Sequence, residues 1–262
     1  MKSTLDQIED IKINGYSLDF SNVFNHAFEN YKKIALYAGL ILLVFSILAI
    51  FLGGGIFAAI FGIQYFNEDF IKSLQNEQTT SSVLAIYSLA LAFIAAIFSP
   101  FTAGFLKMAY SADRDEEFNV STIFSYYTSR YFGQLFIAAL LISLTSGLIS
   151  VAFNLVGIIL VDTIIALLIN VFTCLTIPLI IFGNLNAIDA IKSSIILVSK
   201  QPFVIILLLF VAGVGSAIGF IGCCIGIVFT IPITYSVKYA IYSAILNIDE
   251  DDSIDSIGSD SE

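Results

Sequence analysis

Five stretches of this chain contain no Asp, Glu, Lys, Arg or His, and each is long enough to cross a lipid bilayer. They cover residues 34–67, 78–106, 131–161, 163–188 and 201–237. A membrane-spanning helix needs about 20 mostly apolar residues. The composition agrees, since 58% of the residues are hydrophobic and only 12% are charged, whereas soluble domains carry about 25% charged residues. The chain is therefore predicted to be an integral membrane protein.

The same stretches predict six transmembrane helices in an all-α, polytopic fold. The first, second and fourth stretches each fit one span. The third and fourth are separated only by Asp162 and hold two tightly joined spans. The fifth stays apolar as far as Leu246, which leaves room for two helices around residues 219–226. Continuous apolar runs, rather than segments of alternating polarity, favour helices over a barrel.

The positions of the basic residues predict the orientation. Only Lys72 falls at one set of span ends, and the other ten of the eleven Lys and Arg residues fall at the opposite set. Because basic residues concentrate on the cytoplasmic side, we expect a multi-pass protein of the plasma (inner) membrane with both termini in the cytoplasm. The ten residues are Lys2, Lys12, Lys32, Lys33, Lys107, Arg114, Arg130, Lys192, Lys200 and Lys238.

Three regions follow from the distribution of charge. Residues 1–19 form a cytoplasmic N-terminal segment, 20–246 the six-helix membrane domain, and 247–262 an acidic tail. The tail holds seven acidic residues from Asp249 onward and no basic one, so it is expected to remain disordered in the cytoplasm. A solubilising role is favoured for it, with partner binding as the alternative. The charged residues before the first span do not resemble a cleavable signal peptide.

A short amphipathic segment precedes each odd-numbered span. These segments are 20–34, 120–133 and 186–200, and apolar residues recur in them every three or four positions. Such a pattern is typical of a helix that lies at the membrane interface. A shift of 100 residues also aligns the first two segments, with Tyr31 opposite Tyr131. We therefore predict three parallel helical hairpins, each preceded by a cytoplasmic amphipathic helix, as an internal repeat.

Three of the four prolines lie inside apolar stretches, one or two residues after a hydroxyl-bearing side chain. The pairs are Ser99–Pro100, Thr176–Pro178 and Thr230–Pro232. A proline inside a helix leaves the carbonyl four residues earlier without a donor, here Ala96, Cys174 and Val228. In a membrane that carbonyl needs another partner. The prolines are interpreted either as tolerated kinks or as the lining of a polar vestibule that faces the cytoplasm.

Chemistry-bearing motifs are not found in the sequence. The span centres hold no ionisable residue, and no catalytic triad, HExxH motif or nucleotide-binding loop occurs. We therefore expect no enzymatic activity, cofactor or metal site, and the three cysteines are interpreted as small apolar residues. No basic patch suggests nucleic-acid binding. The small-xxx-small spacing of four glycines predicts helix packing: Gly215, Gly219, Gly222 and Gly226.

Two longer segments resemble a known group of proteins. The order of motifs in SPFTAGFLKMAYSADRDEEFNVSTIFSYYTSRYFGQLF (99–136), and in 186–210 followed by 230–242, is similar to bacterial six-pass membrane proteins of unknown function. The membrane domain fused to some glycerophosphodiester phosphodiesterases has a similar layout. The resemblance covers roughly residues 18–246 and implies a six-helix membrane fold. It adds no catalytic residue, and the phosphodiesterase activity is not expected to carry over.

The sequence favours a non-enzymatic membrane protein that organises protein partners or lipids at the cytoplasmic face. A transporter or channel for a neutral or lipid-like solute is the alternative, and a membrane enzyme is the third hypothesis. The expected partners are the lipid bilayer and a membrane or cytoplasmic protein.

Overall fold

The computed structural model describes residues 3–61, 81–222 and 226–246, and within these ranges the chain is all-helical, without strands. Two short 3₁₀ turns, Ser125–Tyr127 and Gly219–Gly222, connect α-helices. The helices are α1 (Thr4–Asn14), α2 (Phe20–Phe61), α3 (Ser81–Asp113), α4 (Val120–Phe124), α5 (Phe132–Val156), α6 (Ile159–Phe172), α7 (Thr176–Ile181), α8 (Ala187–Lys200), α9 (Pro202–Ile218), α10 (Gly226–Thr230) and α11 (Pro232–Leu246).

Four helical segments are long and apolar enough to cross a membrane. They are Phe20–Gly55, Ser88–Asp113, Phe132–Val156 and Leu160–Ile181. Helices α8 and α9 meet the same criterion only as a pair, and they bend by 102° where they join. The prediction of an all-α fold is therefore confirmed for the described residues, and four or five helical segments could span a membrane, as a multi-pass protein requires. Six spans and the membrane orientation stay predictions.

The sixth predicted span is built from two short helices. α10 has 5 residues and α11 has 15, with a turn at Ile231 between them. The predicted turn at Cys223 and Cys224, most of the loop after Glu68 and the acidic tail lie outside the described residues. The N-terminal segment contains α1, in which Ser3 and Asp6 form a capping box.

The first predicted interfacial segment is not separate from its span. Residues 20–34 form the beginning of α2, a single helix of 42 residues. No proline or glycine occurs between Phe20 and Tyr37, so nothing in the sequence interrupts the helical hydrogen bonding there. By contrast, the second segment forms α4 and a 3₁₀ turn, and the third forms α8 as an independent helix.

The most extensive helix contacts join helices from different predicted hairpins. α3 packs along α5, and α2 packs along α11. The partners within each predicted hairpin also touch, namely α2 with α3, α5 with α6 and α9 with α11. The proline-bearing helices α3, α7 and α11 contact one another. These three helices consequently form the centre of one end of the bundle.

Aromatic rings fill that centre. Phe105 stacks on Tyr235 with ring centroids 4.9 Å apart, and Tyr110 stacks on Phe182 at 5.0 Å. Tyr239 and Tyr242 are almost completely buried. We call this cluster the aromatic base; its members are Phe105, Tyr110, Phe182, Tyr235, Tyr239 and Tyr242.

Candidate functional site

Pro100 lies inside α3, and the helix continues through it to Asp113. The Ala96 carbonyl, which cannot receive a hydrogen bond from a proline, accepts one from Ser99 Oγ at 2.9 Å. The hydroxyl of Tyr127, in the second interfacial segment, donates to the neighbouring Ile97 carbonyl at 3.0 Å. The Ser99 hydroxyl therefore replaces the missing backbone donor, and Tyr127 adds a second hydroxyl contact one residue further along.

The chain turns just before Pro178 instead of remaining helical. α6 ends at Phe172 and α7 begins at Thr176. Ser194 of α8 bridges the break, because its hydroxyl donates to the Phe172 carbonyl at 2.7 Å and accepts from the Leu175 N–H at 3.2 Å. The Thr176 hydroxyl is buried and has no hydrogen-bond partner among the described residues.

The third proline follows a similar break. Pro232 begins α11, directly after the turn at Ile231. Thr230 Oγ1 donates to the Ser216 carbonyl of α9 at 2.7 Å. Tyr31, in the first interfacial segment, donates to the Phe229 carbonyl at 3.1 Å. The same relation thus occurs three times: a hydroxyl from one interfacial segment binds a carbonyl that precedes one of the three prolines.

Close backbone contacts occur at two of the four predicted packing glycines. A Cβ at Gly219 would lie 2.5 Å from Cα of Ile227, and one at Gly226 would lie 2.6 Å from the Gly219 carbonyl oxygen. At Gly215 a Cβ would only reach the Ile233 side chain, at 3.4 Å. The end of α9 and the start of α10 therefore approach each other closely. Gly222 lies in the 3₁₀ turn between these helices.

A polar network beside the aromatic base connects α2, α3 and α11. Asn30 donates to the Ala109 carbonyl at 2.6 Å and accepts from the Ser236 hydroxyl at 2.8 Å. His26 Nε2 lies 2.6 Å from Asp113 Oδ1, and Tyr239 donates to Asp113 Oδ2 at 2.9 Å. Asn30 is only 2% exposed, although the sequence places it on the polar face of the first segment. Asn30 therefore joins helices inside the protein, together with the buried Ser236.

Several other charged residues at this end of the bundle make local contacts. Lys33 Nζ lies 2.6 Å from Asp115 Oδ1 in the acidic linker that follows α3. Lys107 and Arg114 lie over the ring of Tyr110, at 4.0 and 4.4 Å. In the parts of the chain that the structure describes, no group of His, Cys, Asp and Glu side chains could hold a metal ion.

α1 and the chain that follows it lie against α8. Tyr16 donates to the Leu197 carbonyl at 2.8 Å, and Gln201 donates to the Tyr16 carbonyl at 3.0 Å. Burial, and to a smaller extent the nearby Cys174 thiol, raises the pKa of Tyr16 well above its ordinary value. Its phenol therefore remains a hydrogen-bond donor throughout the physiological pH range.

One face of α8 packs against the protein, and part of its apolar stripe is exposed. In the stripe that the sequence predicts, Ile188 and Ile195 are 54% and 42% exposed, whereas Ala187 and Val198 are buried. The buried face also carries small and hydroxyl-bearing residues, among them Ala190 and Ser194, both at 0% exposure. Ile188 and Ile195 therefore point away from the protein core, whereas Leu197 and Val198 are buried in it.

A groove lies beneath that exposed face. It has a volume of about 570 Å³ and is bounded by α5, α6 and α8. We call it the α8 groove. The only charged side chain that lines it is Lys192. Its other lining residues are Leu141, Ile142, Thr145, Ile165, Leu168, Ile169, Phe172, Thr173, Ile188, Ile191 and Ile195.

A second groove, of about 620 Å³, lies between α3, α5 and α6. We call it the serine groove, because Ser88, Ser143, Ser146 and Ser150 line it together with Asn170. Asn170 stands near the middle of the candidate span Leu160–Ile181. The side chains of Ser143, Ser146 and Asn170 make no hydrogen bond within the described ranges. The groove therefore offers free neutral hydrogen-bonding groups at mid-span depth.

Comparison with known proteins found no relative of this chain. No protein-family model matches the chain, and no curated protein or solved structure is significantly similar to it.

Proposed function

We propose that this chain is a non-enzymatic membrane protein with six spans that organises lipids or protein partners at the cytoplasmic face of the plasma membrane. The distribution of Lys and Arg supports this orientation, with the aromatic base on the cytoplasmic side. On this account α10 and α11 together form the sixth span. The three hairpins are then related by the repeated contact between an interfacial hydroxyl and a proline-proximal carbonyl.

The orientation of α8 carries this proposal. α8 turns away from α9 by 102°, so it lies roughly in the membrane plane if α9 crosses the bilayer. Its buried face packs on the protein through Ala190 and Ser194, while Ile188 and Ile195 are exposed. A helix held in this way presents apolar side chains to the boundary between headgroups and acyl chains. The absence of reactive groups from the span centres favours a binding role over catalysis.

Co-isolation tests the proposal. We expect the full-length protein, purified in a mild detergent, to retain phospholipid or a protein partner in stoichiometric amounts. Isolation that yields neither one would contradict the proposal. Replacing Ile188 and Ile195 together by glutamine should lower the retained amount, because the exposed face of α8 becomes polar. Ser199→Gln is the matched control, since Ser199 is already polar and exposed on the same helix.

The serine groove favours one alternative function, the transport of a neutral or lipid-like solute. Polar side chains within a membrane span are costly unless they bind a partner or line a pathway. Uptake into proteoliposomes containing the protein, abolished by Asn170→Leu but unaffected by Ser46→Leu on α2, whose hydroxyl bonds only within its own helix, would support it. Uptake unchanged by alanine at Pro100, Pro178 and Pro232 would remove the vestibule from that mechanism.

A further inference from the structure

We propose that the α8 groove binds an acyl chain of an anionic glycerophospholipid, whose phosphate is held by Lys192. This inference rests on the proposed function, because it specifies which lipid class the protein organises. It also assigns the two parts of the lipid separately, with the hydrocarbon between α5 and α6 and the headgroup beside α8.

The interior of the groove suits hydrocarbon. Its lining is aliphatic apart from Phe172, Lys192 and two threonines. Both threonine hydroxyls are used within their own helices, since Thr145 donates to the Leu141 carbonyl at 2.8 Å and Thr173 to the Ile169 carbonyl at 2.7 Å. A polar solute would therefore find no free hydroxyl donor on these walls. The volume of about 570 Å³ lies in the ordinary range for ligand sites, about 300–1,000 Å³.

Lys192 gives the groove its preference for negative charge. Its side chain is exposed and makes no ion pair or hydrogen bond with another described residue. Other lysines of the interfacial segments are engaged: Lys32 pairs with Glu29 at 2.6 Å, and Lys200 donates to the Lys12 carbonyl at 2.7 Å. An unpaired ammonium beside an apolar groove complements a phosphate attached to a hydrocarbon chain.

The placement of α8 matches the position of a phospholipid in the bilayer. Lys192 and Ile195 lie on the same side of α8, three residues apart, and both line the groove. With α8 in the membrane plane, Lys192 reaches the headgroup layer while Leu168 and Ile165 lie deeper along α6. Leu141 and Leu168, at 41% and 42% exposure, border the groove. An acyl chain can therefore enter sideways from the lipid leaflet.

Lipid competition on the full-length protein tests the assignment. Native mass spectrometry in mild detergent would compare the retention of phosphatidylglycerol with that of phosphatidylcholine of the same chain length. We expect the wild-type protein to prefer phosphatidylglycerol by about fivefold, the ratio that corresponds to one lysine near an anionic headgroup. Glycerol 3-phosphate should not displace the lipid, because it lacks the acyl chain.

Four variants separate the effect of charge from that of shape. Lys192→Gln should reduce the preference to within about twofold, whereas Lys192→Arg should preserve it. Lys32→Gln, which removes a lysine outside the groove, is the matched control and should also preserve it. Thr145→Phe should lower the retention of both lipids, because its ring fills the groove from α5.

The outcomes distinguish this inference from the proposed function. A preference that Lys192→Gln leaves unchanged, or lipid retention that Thr145→Phe leaves unchanged, would overturn the inference while bound lipid still supported the broader function. A wild-type protein that retains no lipid and no protein partner would overturn both. Displacement of the bound lipid by glycerol 3-phosphate would show a phosphate site without an acyl site, and would overturn the inference as stated.

Discussion

α11 and α6 show two ways in which an apolar helix can be used in one membrane protein. Eleven residues of α11 are buried, including Tyr239 and Tyr242 of the aromatic base. None of the described side chains of α6 is buried, and a groove lies on each side of it. α11 is therefore fixed mainly by protein contacts, whereas the surroundings of α6 leave room for lipid or solute.

The difference extends along the whole bundle. Near the aromatic base, α2 buries Ala27 and Ile34, whereas Ile50 and Phe51 further along the same helix are 72% and 75% exposed. Within a membrane the hydrophobic effect contributes little to helix association, because lipid tails are as apolar as the helix surfaces. Close packing therefore marks the end where small residues, hydroxyls and aromatic rings fit together. Both candidate binding grooves lie where that packing ends, beside α6.

Truncating one leucine at the closely packed end and one leucine in α6 should give the largest difference in stability. Leu179 in α7 is 0% exposed, and Leu167 in α6 is 63% exposed. We expect Leu179→Ala to destabilise the protein by about 2–5 kcal/mol through lost contacts and a cavity. Leu167→Ala should change the stability by less than about 0.5 kcal/mol. Thermal unfolding in detergent measures both, and equal effects would remove the proposed contrast.

Adding a side chain should distinguish a closely packed backbone position from an open one. A Cβ at Gly104 would lie 2.2 Å from the Ile123 carbonyl oxygen, so Gly104→Val must push α4 away from α3. We expect a loss of about 1–3 kcal/mol. Gly213→Val is the matched control, because nothing lies within 4 Å of a Cβ there. A normal unfolding temperature for Gly104→Val would show that the contact between α4 and α3 is not needed for stability.

Removing a single hydroxyl should have the smallest effect. Ser194→Ala deletes both hydrogen bonds across the break before Pro178, and about 0.6–1.7 kcal/mol is expected for such contacts in membrane proteins. Ser199→Ala removes only an exposed bond to the Ile195 carbonyl on the same helix. Limited proteolysis between α6 and α7 should accelerate in the first variant alone. Equal cleavage of both variants would contradict the bridging role.

The class of fold could be predicted because continuous apolar stretches have few alternatives to membrane helices. The role of Ser99 at Pro100 could also be anticipated, since a freed carbonyl in a membrane needs a nearby donor. The face of α8 that packs against the protein could not be predicted in this way. Lipid and protein interior are equally apolar, so the stripe containing Ile188 and Ile195 does not reveal which side is buried. The small residues Ala190 and Ser194 were the better signal.

The other differences between the predictions and the structure also have physical causes. Asn30 looks like a headgroup-facing residue, because periodicity cannot show that Ala109 and Ser236 lie across from it. The continuity of α2, by contrast, could have been predicted, because no proline or glycine occurs between Phe20 and Tyr37. The groove beside Lys192 needs residues of three separate helices to come together, so no local pattern could have predicted it.

The membrane topology is the central claim, and reporter fusions test it most directly. A reporter fused after Gln75 should be active on the external side, while fusions after Glu117 and Glu250 should be active only in the cytoplasm. This result would place the aromatic base, Lys192 and both termini on the cytoplasmic side. A cytoplasmic signal after Gln75, or an external one after Glu117 or Glu250, would contradict the account.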